Sequence, residues 1–411
     1  AEDKSIWQNV MSIPDNEVWE AHQARKEQMI TFIRKRLKAS LLHKGSSDSI
    51  TKLNNVLNLD YLIVGFARRF ASYKRANLIL HDKERLLKLI KNEKKPVQFL
   101  FAGKAHPADE KGKSMIKEII DFALENQIED SFVFVENYDM NIARHLVQGV
   151  DVWLNNPIKP MEASGTSGMK AGMNGVLNLS ILDGWWPECY NVQNGWKLNS
   201  GENITNSEIR DRLEANEIYD LLENEIIPLY YDQDQNGLPM DWIEKMKYSI
   251  YDVGKGFNIH RMLREYINEF YLPGAENVKQ LADNNFQNLH EIMNKKNQIK
   301  NLWDKIKITD FQVNIYEKKI VNSGEQLIFK AKVDINNSPE DLVQVEVFYK
   351  LNETNYQVIP LEFQHKESDN IAIYEGIHTI TGAGKQGFNI RIRPGACFSK
   401  TFYNHIKWFY T

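Results

Sequence analysis

The chain has 411 residues, which is enough for two or three domains of about 150 residues each. Hydrophobic residues make up 42% of it and charged residues 26%, a composition that excludes a disordered or fibrous protein. The formal net charge is −4, so we expect no nucleic-acid partner, because binding a phosphate backbone needs a basic excess.

Cysteine content, hydropathy and the first residues narrow the class of protein further. Only Cys189 and Cys397 are present, too few for a disulfide framework, which favours the reducing cytoplasm. No apolar run approaches the roughly 18 residues that span a bilayer, so we expect no membrane partner. The sequence opens Ala-Glu-Asp, without an initiator Met or a signal peptide, and we therefore expect a piece of a longer protein.

The first predicted element is a helix near the amino terminus. Ser12, Pro14 and Asp15 form a typical helix start, and mixed apolar and charged residues continue to about Leu37. The polar stretch Lys44–Asn55 predicts a loop. We assign residues 1–57 to an N-terminal helical segment.

Residues 58–205 alternate between short apolar runs and stretches of helical periodicity. The helical stretches are about Ala76–Lys91 and Lys111–Glu125. The apolar runs are Leu62–Phe66, Val97–Ala102, Phe132–Val135, Val150–Leu154 and Val176–Leu179. Buried strands that alternate with amphipathic helices predict an α/β domain with a parallel sheet covered on both faces. Such doubly wound domains bind ligands at the carboxyl ends of their strands, so functional residues are expected directly after each run.

The rest of the chain is predicted to contain a helical segment and a β-sandwich. Residues 206–308 are mainly helical, with a turn at Asp232–Met240 and a helix that ends at Pro273. In residues 309–411 the apolar period changes to two. The runs with this period are Leu327–Val333, Val343–Val347 and Ile371–Ile373. Short, evenly spaced strands predict a β-sandwich domain.

The densest chemical signal is the glycine-rich stretch Glu162–Lys170. Its small residues let backbone N–H groups approach a ligand, and Thr166 or Ser167 could cap the helix that follows. The N-terminus of a helix favours an anion, and Lys170 lies about one turn inside this helix. The stretch therefore predicts a ligand-binding turn, with a purely structural turn as the alternative.

A second signal is the run Arg68–Arg75, which directly follows the first predicted strand. It holds four cations in eight residues, and such groups at the end of a strand are suited to a phosphate or oxyanion. A solvated cationic surface is the alternative. Gly103–Pro107 and Glu136–Asp139 follow the next two strands, where the same cleft would place further contacts.

No motif predicts a metal site. Asp232, Asp234 and Asn236 imitate the first half of a calcium loop, but the twelfth position is Ile243 and Pro239 intrudes. We interpret this stretch as a polar turn. Trp185, Trp186 and Trp196 could stack on sugar rings, but the core is the preferred interpretation for at least one of them.

At the two chemical signals the sequence resembles the glycogen and α-glucan phosphorylases. Glu162–Gly175 (EASGTSGMKAGMNG) resembles the lysine motif of this family, and Phe66–Ala76 (FARRFASYKRA) resembles its anion-binding segment. FAGKAHP, VENYD and NGVLNLSILDGWW extend the match in the family's order, and GVDVWLNNP is similar to the bacterial and archaeal branch. The resemblance covers about residues 6–272.

The resemblance implies that Lys170, Arg69 and Lys74 are catalytic. Lys170 would hold pyridoxal 5'-phosphate (PLP) as an internal aldimine. Arg69 and Lys74 would bind the substrate phosphate, with Lys74 also near the cofactor phosphate. The other implied contacts of the cofactor phosphate are Arg68, Tyr138 and the amides of Gly165 and Thr166. Those of the glucosyl unit are Glu162, Ala163, Ser164 and Gly165.

The chain departs from the animal enzymes at a few of these positions. Arg68 stands where they have Lys, and Asp139 where they have Arg. Ala71 and Ser72 replace a His-Glu pair. These differences concern the electrostatics around the phosphates.

The fold that the resemblance implies is the second Rossmann-like half of a two-domain (GT-B type) glycosyltransferase fold, with the β-sandwich appended. The implied reaction is PLP-dependent phosphorolysis of terminal α-1,4-linked glucose to glucose 1-phosphate, with retention. An α-1,4-glucan and inorganic phosphate are then the substrates. The expected protein partner is a second copy in a homodimer or the missing N-terminal half, without which we expect the chain to be inactive.

Two other functions stay open at this point. A nucleotide-sugar-dependent α-glucan glucosyltransferase would share the fold, but such enzymes typically place a second Glu eight residues after the sugar-binding Glu. Here that position is Lys170. A non-catalytic glucan-binding subunit would bind glucan without the cofactor, and the presence of Lys170, Arg69 and Glu162 argues against it.

Overall fold

The structure is a computed structural model that describes residues 4–43, 51–199, 201, 203–315, 321–350, 356–382, 386–395 and 406–409. It divides into two units, Ala1–Ile267 and Asn268–Thr411. The boundary falls within the predicted helical segment 206–308. Cys397 and most of the predicted loop after Lys44 lie outside the described residues.

A six-stranded parallel sheet forms the centre of the first unit. Its strands are β1 (Leu62–Ala67), β2 (Val97–Ala102), β3 (Phe132–Val135), β4 (Val152–Asn155), β5 (Leu177–Ile181) and β6 (Gly195–Leu198). Their order is β3-β2-β1-β4-β5-β6, and every pairing is parallel. Every residue of β1, β2, β4 and β5 is buried, because helices cover both faces. The predicted parallel sheet is confirmed.

Helices fill the connections of this unit. They are α1 (Asp15–His43), α2 (Lys83–Ile90), α3 (Glu110–Glu125), α4 (Met140–Gly149), α5 (Thr166–Met173), α6 (Trp186–Cys189), α7 (Ser207–Leu221), α8 (Ile227–Tyr231), α9 (Met240–Gly256) and α10 (Ile259–Tyr266). The helix predicted from Ala76 begins only at Lys83, because the carboxylate of Asp82 caps it by accepting the N–H of Arg85. Within the described ranges, no helix is long and apolar enough to cross a membrane.

The strand order places a crevice between β1 and β4. The connections after β1 lead to one side of the sheet through β2 and β3, and those after β4 lead to the other side through β5 and β6. The loops that follow β1 and β4 therefore diverge at the carboxyl edge of the sheet, which is where doubly wound folds bind ligands. Arg68 directly follows β1, and the loop with Glu162 follows β4.

At the opposite edge of the sheet, a buried ionic cluster anchors α1. Nζ of Lys26 lies 2.7 Å from Oδ2 of Asp151, and Nε2 of His22 lies 2.8 Å from Oδ1. The N–H of Ile63 donates to Oδ2 of Asp151 at 2.7 Å. Burial opposes ionisation of Asp151, but Lys26 and His22 outweigh it and hold the pKa of this carboxyl below its usual value. The cluster joins α1 to the first residues of β1 and to the residue before β4.

The second unit is a helix followed by an antiparallel β-domain. The helix is α11 (Leu272–Leu302), with non-helical dihedral angles at Asp283–Phe286. The strands are β7 (Lys307–Val313), β8 (Gln326–Asp334), β9 (Val343–Lys350), β10 (Tyr356–Lys366), β11 (Ile371–Thr379), β12 (Gly387–Pro394) and β13 (Lys407–Phe409). Their order is β13-β12-β9-β10-β11-β8-β7. The predicted C-terminal β-domain is confirmed as a separate antiparallel β-sheet domain, and its arrangement as a sandwich stays a prediction.

One long strand connects the two parts of this β-domain. β10 pairs with β9 as far as Leu361 and with β11 from Glu362 onward. Alternate residues of β8 and β9, among them Phe329 and Val345, are buried in a single core. The prediction that a helix ends at Pro273 is wrong, because Pro273 lies in the first turn of α11, where a missing N–H costs nothing.

Candidate active site

The loops after β1 and β4 meet at one carboxylate. Nη2 of Arg68 lies 3.0 Å from Oε2 of Glu162, and Nζ of Lys74 lies 2.5 Å from the same oxygen. Each of the three side chains is less than a tenth exposed. Buried charges are stable only when they are paired, and here one carboxylate faces two cations. The cluster therefore carries a net positive charge and is suited to an anionic ligand.

Asn155, the last residue of β4, orients Arg68. Its side-chain oxygen accepts a hydrogen bond from Nη1 of Arg68, and its amide donates to Oγ of Ser180 at 3.0 Å. Burial lowers the pKa of Arg68, and the Glu162 carboxylate opposes that shift. No motif in the sequence singles out Asn155. Its position at the end of an apolar run is the signal that could have found it.

Tyr138 adds a hydroxyl beside the cations. Burial raises the pKa of this hydroxyl, and the nearby charge of Arg68 opposes the shift. The adjacent Asp139 caps α4, where its carboxylate accepts the N–H of Ile142 at 2.8 Å. Asp139 also lies 2.8 Å from Nη2 of Arg36. The loop after β3 thus brings Tyr138 to the candidate site, while Asp139 has a structural role at the start of a helix.

The glycine-rich stretch forms a turn that leads directly into α5. Gly165 precedes the helix with a φ of 78°, a left-handed conformation that favours glycine. The prediction that Thr166 or Ser167 caps this helix is wrong, since Gly165 occupies the cap and both lie within the helix. The N–H of Gly168 donates to the carbonyl oxygen of Gly165 at 3.1 Å. Thr166 and Ser167 therefore supply the N–H groups that the start of α5 can offer to a ligand.

Of the three residues predicted to be catalytic, Arg69 and Lys170 are exposed and Lys74 is buried. In the part of the chain that the structure describes, neither side chain makes a hydrogen bond or an ion pair. Lys170 lies about one turn into α5, as expected. Ala163 and Thr166 are exposed as well. The structure therefore brings Arg68, Lys74 and Glu162 into direct contact, but not Arg69 or Lys170.

The fourth cation of the predicted anion-binding run has a structural role. Arg75 is buried, and its Nη1 lies 2.8 Å from Oδ1 of Asp211. Its guanidinium also pairs with Glu214 and donates to the carbonyl oxygen of Asn156 at 3.0 Å. These bonds tie the loop after β1 to α7 and to the loop after β4, so Arg75 is not available to a ligand.

The three tryptophans considered for sugar stacking lie in the core. Trp185, Trp186 and Trp196 are 3%, 0% and 4% exposed. Trp185 and Trp186 pack against each other with ring centroids 5.1 Å apart. Rings so deeply buried cannot lie flat on a sugar, so the core interpretation holds for all three.

Two family models match the chain. One described as carbohydrate phosphorylase matches residues 16–192, and one described as the glycogen phosphorylase C-terminal domain matches residues 303–406. Together they cover about two thirds of the sequence. The first match includes every residue of the cluster around Glu162, and the second covers most of the antiparallel β-domain.

Curated proteins that are similar to the chain are named as phosphorylases. The chain is 40% identical to the maltodextrin phosphorylase of Thermococcus litoralis, over 90% of the chain and 42% of that protein. It is 49% identical to the glycogen phosphorylase of Aquifex aeolicus, over 65% of the chain and 38% of that protein. With the glycogen phosphorylase of Mycobacterium tuberculosis the identity is 34%, over 95% of the chain and 46% of that protein. The chain thus spans less than half the length of these relatives. It belongs to the carbohydrate phosphorylase family.

Proposed function

We propose that this chain is the C-terminal portion of an α-glucan phosphorylase. The reaction is PLP-dependent phosphorolysis of a terminal α-1,4-linked glucose to glucose 1-phosphate, with retention. The contact of Arg68 and Lys74 with Glu162 at the crevice between β1 and β4 carries this proposal. A reaction between phosphate and a sugar needs cations and a hydroxyl-binding carboxylate side by side, and this cluster supplies both.

The residues present fit PLP, which is a phosphorylated aldehyde. Lys170 offers an exposed primary amine at the start of α5. Arg68, Lys74 and the first amides of α5 are donors for a phosphate group. The hydroxyl of Tyr138 is a further donor, since a tyrosine is protonated at neutral pH. When bound, PLP would supply a phosphate group that exchanges a proton with the substrate phosphate.

The remaining work falls to side chains of this chain. Arg69 and Lys74 bind the substrate phosphate and offset its repulsion from a second phosphate, which is strong in a cleft of low dielectric constant. The carboxylate of Glu162 and the backbone groups of Ala163, Ser164 and Gly165 bind the hydroxyls of the glucosyl unit. The sugar is thereby held in a fixed orientation next to the phosphate, which lowers the entropic part of the barrier.

Covalent labelling tests the assignment of Lys170. The chain is incubated with PLP, its absorbance spectrum is recorded, and it is reduced with borohydride and mapped by peptide mass. We expect the pyridoxyl mass on the peptide that contains Lys170. The variant Lys170→Ala should lose the label, whereas Lys111→Ala, which removes an exposed lysine on α3, should retain it. Label spread over many surface lysines, or undiminished in Lys170→Ala, would contradict the proposal.

A further inference from the structure

The segment that follows β5 lies directly behind the loop that begins at Glu162. Asp183 is buried, and its Oδ2 accepts a hydrogen bond from the backbone N–H of Glu162 at 2.9 Å. Its Oδ1 accepts the N–H of Gly184 at 2.9 Å. The N–H of Trp185 donates to the carbonyl oxygen of Ser164, also at 2.9 Å. Asp183 and Trp185 therefore hold the first part of the loop through its backbone.

Close packing leaves this contact little freedom. Gly184 has a φ of 61°, and a Cβ placed there would lie 2.3 Å from the carbonyl oxygen of Ser164. Trp185 supports the second part of the loop, since a Cβ on Gly168 would lie 3.0 Å from its Nε1. No side chain larger than hydrogen fits at Gly184 unless the two backbones separate.

Glu162 is thus held from two directions. Arg68 and Lys74 bind its carboxylate, and Asp183 binds its backbone N–H. Arg68 and Lys74 hold the end of the Glu162 side chain, whereas Asp183 holds its backbone. In the protein interior, a hydrogen bond from a backbone N–H to a carboxylate is stronger than one to a neutral acceptor.

We propose that Asp183 is a positioning residue for the sugar-binding loop, a role that rests on the proposed function of Glu162. In this role Asp183 acts on the substrate only through the backbone of the loop. It fixes where the Glu162 carboxylate and the adjoining backbone groups face the glucosyl unit. The expected consequence of its loss is weaker sugar binding, while Lys170 and its reaction with PLP are unaffected.

Amide hydrogen exchange of the 411-residue chain, resolved at Glu162, tests the first step. Asp183→Ala removes both acceptor oxygens, and losing a net hydrogen bond should speed exchange of the Glu162 N–H about tenfold. Asp183→Asn keeps the shape of the side chain but only one acceptor oxygen, so it should speed exchange of the Glu162 N–H less. If Asp183→Ala does not fold, Asp183→Asn takes its place in the test. The matched control is Asp82→Ala, which removes a carboxylate that accepts a backbone N–H at the start of α2. Unchanged exchange at Glu162, or an equal rise in the control, would overturn the proposal.

Kinetics of a full-length phosphorylase that carries this chain test the second step. Asp183→Ala should raise the KM for glucose 1-phosphate in the reverse reaction about tenfold, because one hydrogen bond is lost. Asp183→Asn should raise this KM less, because it keeps one acceptor oxygen. The pyridoxyl label on Lys170 should stay at the wild-type level. An unchanged KM for the sugar phosphate would overturn the positioning role. Faster exchange at Glu162 in a chain that takes up no PLP would support the contact with Asp183 and contradict the proposed function instead.

Discussion

Replacing Glu162 by Gln should have opposite effects on the two ligands of the site. The substitution keeps the shape of the side chain but removes the negative charge that lies against Arg68 and Lys74. Both cations then face an incoming anion without an internal competitor. We expect the variant to bind phosphate more tightly and glucose less tightly than the unmodified chain.

The magnitude follows from the geometry of the cluster. Nζ of Lys74 lies 2.5 Å from Oε2 of Glu162, and a phosphate oxygen beyond it would add about 2.8 Å. The two negative charges are then roughly 5 Å apart, which corresponds to a repulsion of about 3 kcal/mol at an effective dielectric constant near 20. Salt and residual solvent screen about half of this. The expected gain is about 1.5 kcal/mol, or roughly tenfold in phosphate affinity.

Isothermal titration of the chain with inorganic phosphate, at two salt concentrations, measures this effect. The matched control is Asp211→Asn, which removes one negative charge from the same unit at the ion pair with Arg75. The control should bind phosphate as the unmodified chain does, and the gain in Glu162→Gln should shrink at high salt. Phosphate affinity that is unchanged or weaker in Glu162→Gln, or equally improved in the control, would refute the reasoning.

Two further substitutions test other parts of the structure. In a full-length enzyme, Arg69→Ala should lower turnover by about two orders of magnitude and leave the PLP content unchanged, because Arg69 is assigned to the substrate phosphate. If PLP and activity were lost in parallel, Arg69 would be a ligand of the cofactor instead. Lys26→Met leaves the buried Asp151 carboxylate without its cation, and should lower the free energy of unfolding of the first unit by about 3–5 kcal/mol in urea denaturation. A loss below about 1 kcal/mol would mean that His22 and the N–H of Ile63 are sufficient partners for Asp151.

The parallel sheet could be predicted because its strands are buried on both faces and therefore appear as continuous apolar runs. Leu62–Phe66 is such a run, and it lies within the observed β1. The sequence does not predict β6, because this strand has only four residues and the exposed Lys197 interrupts its apolar run. The predicted start of α2 differs from the observed one because apolar periodicity continues through Leu78–Leu80, which form a short 3₁₀ turn, whereas the cap at Asp82 sets the boundary.

Only those features of the candidate site that depend on neighbouring residues in the sequence can be predicted. The position of Arg68 follows from the end of β1, and a charged loop there is visible in the sequence. Arg75 has the same local signal, but its partners Asp211 and Glu214 are distant in the sequence and make it structural. Asn155 lies at the end of an apolar run, which marks its position but not its partner, because Arg68 is 87 residues away in the sequence. The contact of Asp183 with Glu162, 21 residues away, has no local signal.

The exposure of Arg69 and Lys170 leads to the last prediction, that the chain alone does not catalyse phosphorolysis at an appreciable rate. Both residues are assigned to the reaction, and both are open to water in this structure. Water screens the cations and competes for the phosphate, so the electrostatic stabilisation that the reaction needs is weak in an open site. The relatives are more than twice as long as the matched part of this chain. We propose that the rest of such a polypeptide covers the site.

The assay is phosphate-dependent release of glucose 1-phosphate from maltodextrin, with PLP added, by the chain alone and by a full-length enzyme that carries it. We expect turnover only from the full-length enzyme, even when Lys170 takes up the pyridoxyl label in both. If the chain alone takes up the label but shows no turnover, its inactivity is caused by exposure of the site to water and not by a failure to bind PLP. Comparable turnover from the two proteins would show that Arg68, Arg69, Lys74 and Glu162 suffice without a covering domain, and that exposure to water does not limit this site.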